Sequence, residues 1–165
     1  MAKLRKMLGD IRSAECIDLM RLIETQSKAT LGAWAVANYL PLCASQRAEE
    51  CLAACERYIA GEATLKEVKP VLREMTQLAR DAQQPAQQAA LRAVSVGCAA
   101  LQTPTNALGF LFYGAAAKAY AGMGLERSAQ EYDAAAACEL RHALELLKAA
   151  AVEGEKNPAR IDWNC

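Results

Sequence analysis

Cys51-x-x-x-Cys55 and Cys138-x-x-x-His142 each place two metal-binding side chains one helical turn apart, where both can reach one ion. Two such pairs would supply four zinc ligands. Helical periodicity argues against their meeting, because Cys51 and Cys55 share a face with Leu52 and Ile59, whereas Cys138 and His142 lie nearly opposite the Leu140, Leu144 and Leu147 stripe. The CxxC spacing of structural zinc is missing too. Cys51 and Cys55 are therefore read as core thiols behaving as small hydrophobes, and no metal or cofactor is expected. His142 is the only histidine, so a Cys138–His142 dyad is the only nucleophile and base on offer, and it lacks an orienting group and an oxyanion element. Glu49-Glu50, and Glu153 with Glu155, read as charges on solvated helix faces. Phosphate loops, Rossmann glycines and HExxH are missing, so no enzymatic activity is expected.

Binding has more to work with. Thr103, Thr105, Asn106 and Tyr113 surround the start of a strongly apolar segment, whose amide end favours anions, although capping alone explains Thr103. Asp133 projects to the edge of an apolar helical stripe, near Tyr132 and Ala136, and a partly buried acid there calls for a cation. Arg92 and Lys118, isolated in apolar helices, are its expected partners. Tyr39, Tyr58 and Trp163 are aromatic candidates for a partner surface outside the most apolar helices, with core packing or tail docking as their simpler reading.

The elements that must position these groups are helices. Thr64-Leu65-Lys66-Glu67 is a capping box, and Leu65, Val68, Leu72, Met75, Ala79 and Ala82 behind it form a one-sided stripe in which Pro70 predicts a bend or a shifted start. A helix from about Ser45 to Ala60 ends at Gly61 and pairs with it as a hairpin. Segments of about 16–24 and 27–40 precede these, the second closed by Pro41. Pro85 and Thr103-Pro104 predict two more starts, giving helices of about 86–101 and 104–121 that carry only Arg92 and Lys118 as charges. Helices this apolar belong at the centre of a bundle, with Gly97, Gly109 and Gly114 allowing close approach. A last helix covers about 126–153. No strand pattern occurs. The expected fold is all-α, a single compact bundle of about six or seven helices over residues 1–165, with a loosely attached N-terminus of about 12 residues and a docking tail at 154–165. Ala119-Tyr120, Gly124, Ala129, Tyr132 and Ala135-Ala136 resemble one tetratricopeptide hairpin. A solenoid needs about three such units or more, so the bundle is preferred to that scaffold.

Composition agrees. The chain has 165 residues, room for one domain of roughly 100–200 residues. Its 19 basic and 19 acidic residues cancel, so no global field draws it to nucleic acid or acidic lipid. The apolar share of 53% contains only 5% aromatics, which favours cores of small side chains. The basic start is interrupted by Asp10, Arg12, Glu15 and Asp18 before any signal-length apolar run. The stretch from Ala107 to Ala117 stops far short of the roughly 20 residues that span a bilayer. Seven cysteines, an odd number, fit reduced thiols in a cytoplasm. Self-association stays open.

Four strings carry a resemblance: Leu19-Met-Arg-Leu-Ile-Glu-Thr-Gln-Ser-Lys-Ala-Thr30 with Trp34; Gly61 with Leu65-Lys-Glu-Val68; Gln102-Thr-Pro-Thr-Asn-Ala-Leu-Gly-Phe-Leu-Phe-Tyr113; and Asn157-Pro-Ala-Arg-Ile-Asp-Trp163. Together they resemble the Imm-5-like immunity proteins of bacteria, from about residue 17 to the end. The resemblance implies a non-enzymatic helical protein that binds and neutralises a cognate polymorphic toxin. Zero net charge argues against a polyanion-mimicking version of that role, so a local patch is expected to make the contact. The competing readings are a domain binding a small molecule through the 103–113 region or a metal through the Cys/His pairs, and the tetratricopeptide-like scaffold.

Overall fold

The computed structural model describes residues 3–39 and 45–163; among them are seven helices and no strand. The helices are α1 (Ala14–Ile23), α2 (Lys28–Tyr39), α3 (Gln46–Ile59), α4 (Leu65–Asp81), α5 (Pro85–Ala99), α6 (Asn106–Met123) and α7 (Ala129–Ala150). Pro41, Cys43 and Cys165, and the side chain of Tyr39, lie outside what is described.

Local chemistry sets the boundaries. Ser45 caps α3 by accepting from the Ala48 amide, and Gly61 follows the helix with φ +77°, a left-handed turn that a glycine adopts without strain. The Glu67 carboxylate accepts from the Thr64 amide at 2.6 Å, so α4 starts unshifted and runs through Pro70. Two expected starts move. Thr103, Pro104 and Thr105 form a turn in which the Thr103 carbonyl accepts from Asn106 and the Pro104 carbonyl from Ala107; α6 therefore begins at Asn106, with no hydroxyl cap. The last helix begins at Ala129 because Ser128 and Glu131 form a capping box.

Helix α6 is the centre. Ten of its residues are buried, and α1, α2, α5 and α7 all pack on it. That enclosure excludes a stack of tetratricopeptide hairpins, whose units meet only their neighbours. The tetratricopeptide-like spacing instead reflects one α6–α7 hairpin in which Tyr120 and Tyr132 meet edge to face at 5.1 Å. Of the three glycines expected to permit close approach, Gly97 and Gly114 are buried, and at Gly109 an added Cβ would meet only Val96 at an ordinary 3.8 Å. A tight approach occurs at Gly32, where a Cβ would fall 2.2 Å from Leu101 Cδ2.

Two cores result. The larger holds Trp34, Phe110 and many leucines; Trp34 meets Phe110 edge to face at 5.2 Å, and its indole donates to the Ala143 carbonyl at 3.1 Å. The smaller holds Leu8, Ala89, Ala90, Ala115, Ala116, Ala117, Ala119, Ala136 and the tyrosine pair. The N-terminal segment, expected to be loose, is fastened over this second core. Leu8 is 1% exposed, and its amide donates to the Phe112 carbonyl at 3.0 Å. Gly9 (φ +141°) lets the chain pass Phe112, whose ring would lie 2.4 Å from an added Cβ.

Candidate functional site

The N-terminal strap, residues 3–8, crosses the bundle where α5, the end of α6 and the start of α7 meet, and a cleft opens on each side of it. One, of about 310 Å³, is bounded by Leu4, Tyr120, Leu125 and Tyr132. The other, of about 260 Å³, lies against Pro85, Gln88, Ala89 and Arg92. Lys3, Leu4, Arg5 and Tyr120 belong to both.

Alanines in α5, α6 and α7 let the three helices close on the tyrosine pair, which carries the floor of the site. The Tyr120 hydroxyl donates to the Arg5 carbonyl, tying the strap to α6. The Tyr132 hydroxyl donates to the Gly124 carbonyl at 2.7 Å and accepts from the Arg127 amide at 3.2 Å, fixing the loop between α6 and α7. Burial pushes the Tyr120 phenol above its ordinary value, so it stays a neutral donor. Around this floor stand Lys3, Arg5, Lys6, Arg92 and Arg127, with Glu126 the one acid lining either cleft. Arg5 binds Asp133 at 2.7 Å and Arg127 reaches Glu131 at 3.5 Å, which leaves Lys3, Lys6 and Arg92 against Glu126, a local excess of positive charge. Leu125, 41% exposed, adds apolar surface to the first cleft, and Met7 in the strap is 44% exposed. A rim of cations around exposed apolar side chains is equipped for protein recognition.

The residues predicted from sequence do not form one site. Thr103, Thr105 and Asn106 lie at the beginning of α6, about 21 Å by helical rise from Tyr120 at its far end. Tyr113 is half-buried and packs on the larger core. Asp133 does border the new site, but it is exposed and its partner is Arg5, not Arg92 or Lys118; Lys118 pairs with Glu139 across α6 and α7. Tyr58 and Trp163 also pack on the larger core. The strap was missed because Leu4 and Leu8 anchor it from a short non-helical segment, too short for a periodicity to read.

The other end of the bundle is differently made. Gln26, 2% exposed, exchanges hydrogen bonds with Val152: its amide nitrogen donates to the Val152 carbonyl at 3.2 Å and its oxygen accepts from the Val152 amide at 2.9 Å. The Gln26 carbonyl also accepts from the Ala159 amide at 2.8 Å. Glu155 accepts from the Ser27 amide, the Ser27 hydroxyl and the Thr30 hydroxyl at 2.6–2.8 Å, capping α2 from the tail. Burial raises the Glu155 carboxyl, but these three donors outweigh it and hold the group below its ordinary value. Ile161 and Trp163 complete the docking, with the Trp163 indole donating to Glu24.

The ligand-bearing residues are rearranged too. Cys138 and His142 are exposed on α7, whereas Cys51 and Cys55 are buried and are joined by Cys98 of α5. The three sulfurs lie within 4.8 Å of one another. The two pairs thus do not meet, as their helical periodicity predicts, and Cys51 and Cys55 form a three-thiol cluster that sequence spacing missed because Cys98 comes from a separate helix.

Comparison with known proteins gives one match. The family described as Imm-5 like putative immunity protein matches residues 21–145, most of the chain. The chain belongs to that family. The matched span includes Arg92, Tyr120, Arg127 and Tyr132, the parts of the strap site supplied by α5, α6 and α7; the strap itself lies before it. No curated protein and no solved structure matches this Imm-5-like chain. No helix among the described residues is long and apolar enough to cross a membrane.

Proposed function

We propose that this protein is a non-enzymatic immunity protein of the cytoplasm that neutralises a cognate bacterial toxin by forming a tight 1:1 complex. Membership of the Imm-5-like family carries this reading. The toxin is engaged through the strap face, where Lys3, Lys6 and Arg92 meet a complementary acidic surface while Leu125 and Met7 are covered. Steering by opposite charge speeds encounter, and burial of the apolar centre slows release. A net charge of zero is compatible with this because the excess is local.

The test is co-expression of the protein with the toxin encoded beside it. Growth is restored by the native protein and not by Lys3→Glu/Lys6→Glu/Arg92→Glu. Failure of the native protein to protect removes the immunity reading, and protection by the triple variant moves the contact elsewhere.

A further inference from the structure

The cluster of Cys51, Cys55 and Cys98 has no part in the strap face. Cys51 and Cys55 stand one turn apart on the buried side of α3, and Cys98 reaches them from the last turn of α5. All three are at most 1% exposed, and the Cys51 and Cys98 sulfurs are 3.8 Å apart. Among the described residues this is the one place where three or more potential ligand atoms of His, Cys, Asp or Glu gather so closely.

An ion about 2.3 Å from each of three thiolate sulfurs requires sulfur–sulfur edges of about 4 Å. The observed triangle, with one edge of 3.8 Å and none above 4.8 Å, meets that requirement with little movement. Two rigid helices hold it, so the ligands are arranged before an ion arrives. We propose that Cys51, Cys55 and Cys98 form a buried trigonal site for a soft monovalent metal ion of the Cu(I) type. Thiolates select soft ions. Among the described residues no further His, Cys, Asp or Glu atom joins the cluster to give the fourth ligand that a closed structural zinc site uses.

Each of the three sulfurs binds the ion as a thiolate, so a monovalent ion leaves a net charge of minus two at the cluster. Each thiol that becomes a thiolate gives its proton to solvent, and the ion keeps its oxidation state throughout.

The experiment is an anaerobic titration of the reduced full-length protein with Cu(I) buffered by a chromophoric chelator, in parallel with Zn(II). The site predicts one Cu(I) taken up per chain, new thiolate-to-metal absorption in the ultraviolet, and a raised melting temperature. Cys98→Ala and Cys55→Ala, checked for retained helicity by circular dichroism, each weaken uptake by tenfold or more, while Cys43→Ser/Cys138→Ser/Cys165→Ser leaves it unchanged. No uptake by the native protein overturns the proposal. So does uptake that survives both alanine changes or disappears in the triple serine variant. Zn(II) bound more tightly than Cu(I) at these thiols overturns the assignment to a monovalent ion. Toxin protection by the loaded or unloaded protein has no bearing on these outcomes, so the site stands or falls apart from the immunity reading.

Discussion

The two ends of the described chain are both tied down on the bundle, by opposite means. The strap is fixed by burial: Leu8 is sunk in an alanine core, while its polar contacts, such as Arg5 with Asp133, are half exposed. The tail is fixed largely by directed hydrogen bonds, through the buried Gln26 amide and the Glu155 carboxylate at the head of α2. The consequences at the surface differ as well. Around the tail, Lys28 and Arg160 stand against Glu24, Glu153 and Glu155, so charge is nearly balanced. Around the strap, cations outnumber acids, whereas exposed apolar side chains occur at both ends, Met7 and Leu125 at the strap and Val152 at the tail. A chain that is neutral in sum therefore presents one end with nearly balanced charge and another with a local excess of cations.

The contrast is broken first at its strongest contacts. Leu8→Ala removes the apolar anchor of the strap and should cost about 3 kcal/mol, read as a lower denaturant midpoint with early proteolysis at the N-terminus. If stability is unchanged, the strap is not held by burial. Gln26→Ala leaves the Val152 amide and carbonyl without their partner and should cost about 2 kcal/mol; a loss below a few tenths would make the amide network incidental.

Smaller effects sharpen the difference. Glu155→Ala should cost about 1 kcal/mol, the scale of a lost helix cap. Because the folded carboxyl titrates below the ordinary 4.5, its contribution is full above that pH and disappears as pH falls through the lower folded value. The stability gap between native and variant protein should accordingly close in acid, and a gap independent of pH would contradict the capping role. Asp133→Ala should change stability by less than about 0.5 kcal/mol, because its ion pair with Arg5 is exposed and screened by salt.

Helices were the legible part of the sequence. The Thr64 capping box, Gly61 and the stripe behind Leu65 predicted α3 and α4 closely, since those signals act within a few residues. Thr103-Pro104 misled because a cap and a turn use the same residues, and only the carbonyl bonds distinguish them. Ser128 with Glu131 was an equally local signal that periodicity alone passed over. The candidate surface was barely legible. Asp133 was expected at a partly buried edge beside Arg92 or Lys118; it is exposed, and its partner Arg5 lies 128 positions away, beyond any periodic pattern. Cys98 joined Cys51 for the same reason, across 47 positions. Counting charges concealed the strap face because a sum contains no positions.

The most direct measurement is the dissociation constant of the complex with the neighbouring toxin, for the native protein, for Lys3→Glu/Lys6→Glu/Arg92→Glu and for Lys28→Glu/Arg160→Glu. A contact through the strap face predicts about 100-fold weaker binding and a much reduced salt dependence for the first variant, with native affinity for the second. Native affinity in the strap variant together with loss in the tail variant would contradict it.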